Sequence, residues 1–409
     1  MLRHFEYKFE FLKNTFNDKR NLTNFIIFSA NKSTTPMCRQ KDRSYQKFMH
    51  LFYYIFSSFC ILASLLPLIP NQHWIFRIWE FARIQVVIFQ VAILALGLIF
   101  FEPKTFIFWA IVVISIAFIT NHVIILIPYT FIYKRKPAKN VSTDSDPISI
   151  ISVNVYQFNN DYQKLIDLVN EVKPDILLTM ESNQDWENAL KVIEKDYPNF
   201  KKVALENTYG IHFYTNLEVE NIKVNYFIAD DLPSIQASLL TENGQPFTFF
   251  GVHPPPPSPT EEDTSKERDA ELLAVAKKVR EIENPVIVVG DFNNVAWARS
   301  SILFRKTSEL IDPRIGRGFV ATFHANYRLL RFPIDLFFHS TEIFVDDFKT
   351  LRNIGSDHLP LYCSFFINKN EDLQEDEIET LHEDELEEVD ELIEEGIEED
   401  GNRPTVATE

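Results

Sequence analysis

Three long apolar segments stand out in the pattern of hydrophobic and polar positions along the chain. They cover residues 48–70, 84–101 and 106–133. A helix needs roughly 20 apolar residues to cross a bilayer, and each segment comes near that length. Because the segments have almost no polar face, they do not suit a helical bundle surrounded by water. The pattern therefore predicts about three transmembrane helices within residues 48–133.

A different pattern begins after residue 146, where short β-branched runs alternate with amphipathic stretches. The predicted strands cover residues 148–155, 175–180, 210–214, 234–240, 247–252, 285–290, 334–339 and 359–366. The predicted helices cover residues 161–172 and 261–283. Several neighbouring strands have no helix between them, which excludes a purely parallel sheet. A mixed α/β fold, as one sheet or as a sandwich with outer helices, fits better.

These patterns divide the chain into five parts. They are an N-terminal extension (1–47), three transmembrane helices (48–133), a basic and polar linker (134–146), an α/β domain (147–367) and an acidic tail (368–409). Met37 stands just before a basic stretch and the first apolar segment. It is an alternative start of the protein, and an ordinary cytosolic extension explains residues 1–36 equally well.

Charge and cysteine content change this picture little. Residues 371–400 contain 18 Asp or Glu and no Lys or Arg, so they account for the whole net charge of −18. A solvated, self-repelling tail is the simpler interpretation, and an acidic helix that binds a basic protein partner is the alternative. The three cysteines cannot build a disulfide framework or a cysteine-ligated zinc site.

The side of the membrane on which the α/β domain lies stays open. Basic clusters precede the first apolar segment and follow the third, at residues 39–47 and 134–139. Three spans put these clusters on opposite sides, so the excess of positive charge favours neither orientation. We expect a multi-pass integral membrane protein with its catalytic side undetermined.

Polar residues at strand ends are the candidate functional residues, because loops at strand ends are where sites are built. These residues are Asn154, Glu181, His253, Asp291, Asn293, Asp335, Asp357 and His358. Taken singly, most are ordinary turn formers or helix caps. Asp335 is the exception, since a carboxylate inside an apolar strand must find a partner, and His358 could supply it.

Together these side chains form a chemically coherent set. Carboxylates such as Glu181 and Asp357 suit Mg²⁺ or Mn²⁺. Amide and imidazole donors can hold phosphoryl oxygens as charge develops on them. Either Asp291 or His358 can orient and deprotonate an attacking water.

The order of these motifs resembles the endonuclease/exonuclease/phosphatase superfamily, and in particular its membrane-anchored bacterial branch. The motifs are SVNV (152–155), PDILLTME (174–181), the strand-terminal His253, GDFN (290–293), ID (334–335) and SDHLP (356–360). The resemblance covers roughly residues 147–367. It implies a four-layer α/β/β/α sandwich, a divalent-metal-dependent hydrolase and, for this branch, a place in the bacterial inner membrane.

Carried over residue by residue, the resemblance implies a role for each motif. The implied metal ligands are Glu181, Asp357 and Asn154, and the implied catalytic residues are His253, Asp291, Asn293, Asp335 and His358. Weaker substrate-binding positions are Arg268, Arg328 and Arg331. Departures from the family pattern at Tyr156, Thr215, Asn216 and Leu336 argue against a specificity for abasic DNA or a deoxyribonuclease activity.

The sequence thus predicts a membrane-anchored phosphoesterase that uses Mg²⁺ or Mn²⁺ to hydrolyse a phosphodiester or phosphomonoester by attack of water. Nucleic acids, lipid headgroups and small molecules all remain substrate classes. The alternative is a non-catalytic membrane scaffold that keeps the fold and binds a basic partner through its acidic tail.

Overall fold

The computed structural model describes residues 36–101, 103–133, 147–368 and 374–401. The predicted linker and most of the predicted N-terminal extension lie outside these residues. The chain divides into two compact units, one formed by the described residues up to Cys60 together with Gln90–Ser115, the other by Ile61–Phe89 and Ile116 onward.

Four helices precede the α/β domain. They are α1 (Pro36–Leu65), α2 (Trp74–Phe81), α3 (Arg83–Phe100) and α4 (Phe106–Leu126). Among the described residues, three segments are long and apolar enough to cross a membrane: Gln46–Leu68, Arg83–Phe100 and Phe106–Tyr129. Less than a third of each segment is buried, so their apolar side chains mostly face outward. Such faces suit a lipid environment better than water.

The first unit has a small aromatic core. Tyr53, Phe101, Phe108 and Val112 are buried together. The rings of Phe101 and Phe108 stack with their centroids 4.8 Å apart.

Within the second unit, a buried polar triad joins the three apolar helices. The Arg83 guanidinium lies 3.1 Å from Nδ1 of His122, and Nε2 of His122 lies 3.0 Å from the Ser64 hydroxyl. All three residues are buried. His122 therefore packs the helices together through hydrogen bonds, which removes the cost of burying a lone polar ring.

The α/β domain has two sheets. Its strands are β1 (Ile148–Asn154), β2 (Ile176–Met180), β3 (Asn199–Val203), β4 (Ile211–Thr215), β5 (Glu218–Asn225), β6 (Ser234–Leu240), β7 (Pro246–Val252), β8 (Val286–Asp291), β9 (Asp335–His339), β10 (Ile343–Thr350) and β11 (Leu361–Ile367). One sheet has the order β10-β11-β1-β2-β4-β3, and the other has the order β5-β6-β7-β8-β9. Only the pairs β1–β2 and β7–β8 are parallel.

Helices cover the outer face of each sheet. They are α5 (Tyr162–Val172), α6 (Gln184–Leu190), α7 (Lys266–Arg280) and α8 (Arg299–Ser308). One apolar core lies between the two sheets. Each sheet also has one apolar core between its outer face and the helices that cover it. β1 and β8 are buried on both faces, which explains their continuous β-branched runs. The predicted four-layer α/β/β/α sandwich is confirmed.

The acidic tail is not a solvated coil in the part that the structure describes. It forms α9 (Glu383–Ile397), which packs along α7 and α8. Gly396 makes the approach to α7 close, because a Cβ there would lie 2.2 Å from the Cβ of Ala270. The interpretation of the tail as self-repelling is therefore wrong for this segment.

Basic residues on the two neighbouring helices offset the charge of α9. Arg299 and Lys306 both pair with Glu385, and Arg299 also pairs with Glu388. Lys277 pairs with Asp390. Burial alone would raise the pKa of Glu385, but hydrogen bonds from Lys306, the His382 amide and Arg299 outweigh it and lower this pKa to about 2.

We expect the docking of α9 to weaken in acid. Because the folded-state pKa of Glu385 lies below its ordinary 4.5, its contribution to stability is present above that pH and is lost as the pH falls toward 2. At neutral pH, Glu385→Gln should lower the opening free energy of α9 by about 2 kcal/mol. Hydrogen exchange of the α9 amides measures both effects.

Glu387→Gln is the matched control, since Glu387 is an exposed acid on the same helix. Equal loss of protection in both variants would show that general charge, and not the Glu385 contacts, holds α9 in place.

Candidate active site

Polar side chains from the ends of both sheets meet in one cleft with a volume of about 450 Å³. Seven of the eight predicted metal-binding and catalytic residues line this cleft: Asn154, Glu181, His253, Asp291, Asn293, Asp357 and His358. The eighth, Asp335, is fully buried and hydrogen-bonded to His358. The strand order thus brings together residues that lie up to about two hundred positions apart in the chain.

A glycine lets the strand ends approach. Gly290 stands beside Val252 in the parallel pair of β7 and β8. A Cβ at Gly290 would lie 1.9 Å from the Val252 carbonyl oxygen, so only glycine fits there. The strands consequently deliver His253 and Asp291 side by side, with Nε2 of His253 3.9 Å from Oδ2 of Asp291.

Asn154 connects three strand ends. Its Nδ2 donates to Oε1 of Glu181 at 2.8 Å and to Oδ2 of Asp291 at 3.1 Å. Its Oδ1 accepts from the main-chain N–H of Tyr156 at 2.9 Å, which fixes the orientation of the amide. The amide nitrogen therefore faces the two carboxylates, and the amide oxygen is already engaged.

The Glu181 carboxylate is held from both sides. Besides Asn154, the main-chain N–H of Gln157 donates to its Oε2 at 3.0 Å. Burial raises the pKa of Glu181, these two hydrogen bonds lower it, and the nearby Asp357 raises it further. No Lys or Arg of the described residues forms an ion pair with Glu181. Glu181 and Asp357 line one cleft without a Lys or Arg ion pair among the described residues, and a hard divalent ion could neutralise them.

A second cluster combines Asp291, Asp335 and His358, whose donor atoms lie within 4.8 Å of one another. Nδ1 of His358 lies 2.8 Å from Oδ2 of Asp335, and its Nε2 lies 3.5 Å from Oδ2 of Asp291. Burial alone would lower the pKa of His358, but Asp335 and Asp291 outweigh it and raise this pKa. A histidine must be neutral to bind a metal ion, so the two flanking carboxylates make His358 a poor ligand.

The remaining polar residues have distinct environments. Burial raises the pKa of Asp291 above its usual range, with His358 opposing and Asp335 adding to the effect. Burial lowers the pKa of His253 to about 3. The main-chain N–H of Asn293 donates to Asp291, and its side chain donates to the Pro254 carbonyl at 3.0 Å.

Four residues of the cleft adopt a left-handed backbone conformation that side chains disfavour. The φ angles of Tyr156, Glu181, Thr208 and Asn293 are 58°, 57°, 71° and 49°. Such conformations cost about 1–3 kcal/mol each and persist where the surrounding structure fixes them. A concentration of them at one cleft is typical of a functional site.

The weaker arginine candidates lie differently. Arg268 is buried, binds Asp269 and donates to the main-chain carbonyl of Asn293 at 3.0 Å, so it supports the GDFN turn. Arg331 donates to the main-chain carbonyls of His324 and Ala325. Arg328 is exposed in the same loop. None of the three lines the cleft.

The sequence reasoning missed one wall of the cleft. Arg77, Ile78 and Phe81 of α2 line it. Nε1 of Trp297 donates to the Glu80 carbonyl at 2.8 Å and so fastens α2 to the domain. A signal was present in the sequence, because WIFRIWEF is strongly amphipathic and carries two charges within an apolar connector.

A family model describes residues 151–358 and carries the name Endonuclease/Exonuclease/phosphatase family. This range takes up half of the chain and contains all of the residues that meet in the cleft, apart from α2. The chain belongs to this family. No curated protein matches it.

Several solved structures of the Endonuclease/Exonuclease/phosphatase fold are similar. TDP2 from D. rerio, complexed with a single-strand DNA product, is 18% identical, with a TM-score of 0.46 and coverage of 54% of this chain and 100% of that one. The human Nocturnin catalytic domain with bound sulfate is 16% identical, with a TM-score of 0.46 and coverage of 57% and 100%. A mannosyl-6-phosphatase from Bacteroides thetaiotaomicron is 18% identical, with a TM-score of 0.42 and coverage of 54% and 100%.

We predict that Asp335 and His358 act as a unit. Asp335→Asn and His358→Gln should each lower turnover of a generic phosphodiester by about 10²–10⁴-fold. The double variant should be no slower than the slower single variant, because either change removes the charge–charge attraction across the same 2.8 Å contact. Initial rates of all three variants measure this.

Asp347→Asn, a half-exposed acid on β10, is the control and should keep the wild-type rate. Losses that multiply in the double variant would show that the two residues act separately.

Proposed function

We propose that the protein is a membrane-anchored phosphoesterase that hydrolyses a phosphodiester or phosphomonoester with a divalent metal ion, Mg²⁺ or Mn²⁺. The observation that carries the proposal is the meeting of Glu181, Asp357, Asp291 and the Asp335–His358 pair in one cleft. The three apolar helices, whose side chains mostly face outward, support the anchor.

Glu181 and Asp357 would hold the ion, with Asn154 positioning Glu181. The ion would polarise a phosphoryl oxygen and stabilise charge on the leaving group. Their carboxylate oxygens suit Mg²⁺ or Mn²⁺, and Asn154 acts through its hydrogen bond to Glu181. Asn154 is thus a positioning residue in this proposal, and its amide oxygen is the less suitable ligand.

Asp291 is the proposed general base. A carboxyl whose pKa is raised toward neutrality is matched to proton transfer at physiological pH. His358, flanked by Asp335 and Asp291, is held protonated and is better suited to donate a hydrogen bond to a phosphoryl oxygen. The neutral ring of His253 and the amide of Asn293 complete the phosphate site.

The scaffold alternative is less well supported. Three acids of α9, Glu385, Glu388 and Asp390, pair with Lys or Arg of the same chain, so this face of the helix is engaged within the domain. A basic protein partner that bound these acids would have to displace these contacts.

Metal-dependent turnover by the full-length chain tests the proposed function. The full chain is required because α2 forms part of the cleft and α9 packs on the domain. In detergent, it should hydrolyse bis-p-nitrophenyl phosphate with Mg²⁺ or Mn²⁺ but not with a chelator. Glu181→Gln should bind Mn²⁺ weakly in electron paramagnetic resonance and fall to the metal-free rate, because it removes a ligand charge.

Glu187→Gln is the matched control, since Glu187 lies on α6 and pairs with Lys202 away from the cleft lining. Glu181→Gln with unchanged Mn²⁺ affinity and turnover would refute the metal assignment.

A further inference from the structure

One wall of the cleft comes from the helix that connects two candidate membrane spans. Phe81 lines the cleft, and the second span begins at Arg83. Two residues of chain span at most about 7 Å. The polar headgroup region on each side of a bilayer is about 5–7 Å thick. With the second span in a bilayer, the Phe81 end of α2 would therefore lie at about the depth of the headgroups.

The ends of the second and third spans are hydrogen-bonded to the α/β domain. Nε2 of Gln85 donates to the Leu329 carbonyl at 3.2 Å. The main-chain N–H of Gly316 donates to the Pro128 carbonyl at 2.8 Å. The Tyr129 hydroxyl donates to the Ala296 carbonyl at 2.8 Å. The domain thus sits directly on the ends of the spans.

Three spans also give a consistent topology. The connector between the first and second spans and the chain after the third span must lie on the same side of the membrane. α2 belongs to that connector and packs against the domain, as this topology requires.

Exposed apolar side chains cluster on two neighbouring segments beside the cleft. We call them the apolar rim: Ile75, Ile78, Tyr327, Leu329 and Leu330, which are 45–90% exposed. The Gln85–Leu329 hydrogen bond and the contact between the rings of Phe81 and Phe332, 5.9 Å apart, join the two segments. Single exposed apolar residues are ordinary, whereas a cluster beside the span ends suits contact with lipid.

Arg77 provides a cation in this wall. It is 9% exposed, its Nη2 donates to the Ile69 carbonyl at 3.3 Å, and its Nη1 lies 3.7 Å from Glu80. Its side chain lines the cleft. A guanidinium in the wall of a phosphoesterase cleft suits a phosphate oxygen.

The cleft is poor in the cations that hold a nucleic acid strand. Among the described residues that line it, Arg77 is the one Lys or Arg. A strand is held by several cations along its backbone, together with stacked bases. A single phosphate group attached to an apolar body needs one cation and an apolar approach.

We propose that the cleft takes its substrate from the membrane surface as the phosphate ester of a lipid, with the apolar rim contacting the bilayer and Arg77 binding the phosphate group. This rests on the proposed phosphoesterase function. It adds a route of entry, formed partly by α2, and a specificity residue on α2, a helix outside the region that the family model covers.

The test compares lipid and soluble substrates in the full-length protein reconstituted into nanodiscs. The discs contain phosphatidylcholine alone or with phosphatidylglycerol, phosphatidylinositol, phosphatidic acid or sphingomyelin, and release of the phosphorylated headgroup or of phosphate is measured. Bis-p-nitrophenyl phosphate and single-stranded DNA are the soluble substrates. The rim variants are Ile75→Asp and Leu329→Asp, neither of which lines the cleft.

We expect at least one lipid to be hydrolysed, and each rim variant to lower its turnover by about tenfold or more while hydrolysing the soluble ester at the wild-type rate. Val192→Asp, a change at a comparably exposed apolar position in the 3₁₀ turn after α6, should affect neither substrate. Arg77→Gln should raise KM for the lipid more than it lowers kcat, and Arg77→Lys should restore part of the affinity.

The outcomes separate the two proposals. No metal-dependent turnover of any substrate would refute the phosphoesterase function itself. Turnover of the soluble ester without hydrolysis of any lipid, preference for single-stranded DNA, or rim variants with unchanged lipid turnover would overturn the lipid proposal and leave the phosphoesterase standing.

Discussion

The hydrogen bonds of the Asn154 amide tie the two sheets together at the point where chemistry is concentrated. Asn154 and Glu181 belong to one sheet and Asp291 to the other, and a single Nδ2 donates to both carboxylates. Like charges that are close and buried repel each other strongly, so they need shared donors or cations to stay together. The same logic explains the contact between His358 and Asp335, which also crosses from sheet to sheet. These hydrogen bonds therefore fix the positions of the polar side chains in the cleft. The apolar core between the sheets lies next to the cleft and stabilises the two sheets against each other.

Burial shifts the acids and histidines of this site in different directions. His253 becomes neutral because it has burial without a strong partner, whereas His358 is protonated because two carboxylates flank it. Asp291 lies between them and has its pKa raised. His253, Asp291 and His358 thus differ in pKa although they lie within a few ångströms of one another. Such differences allow one site to contain both a base and a hydrogen-bond donor at the same pH.

The sequence predicted the domain well because its signals are local. The buried strands β1, β2 and β8 are continuous apolar runs, and Asn154, Glu181 and Asp291 end or follow these runs. The sequence did not predict strands β3, β5 and β10, because their alternation of apolar and polar residues is weak. β3 is half-exposed, and register shifts interrupt β5 and β10. Pairings between distant residues, such as that of Asp291 with Asn154, follow from strand order, which hydrophobic periodicity does not encode.

Two other differences have a common cause. Both α2 and α9 are amphipathic helices whose stability comes from the surface they pack on, and that surface lies far away in the sequence. In an isolated α9 the acidic residues would repel one another. In the fold, Glu385 and Asp390 form ion pairs with Arg299, Lys306 and Lys277. The two charged residues of α2 likewise make their contacts only in the fold, where the Glu80 carbonyl accepts a hydrogen bond from Trp297 and Arg77 lines the cleft.

In the proposed membrane-anchored enzyme, the position of α2 would give the anchor a physical role beyond tethering. A tether of arbitrary length would only raise the local concentration of a membrane-bound substrate, and the gain would fall as the tether lengthened. Here the connector between two candidate spans is itself a wall of the cleft, so insertion of the spans would constrain the orientation of the cleft as well as its distance from the bilayer. Fixed orientation removes rotational freedom that a substrate would otherwise lose on binding, and it does so before the substrate arrives. For a substrate that is confined to the membrane surface and presents its phosphate at one depth, such an arrangement would raise the rate of productive encounter without any change in the catalytic residues.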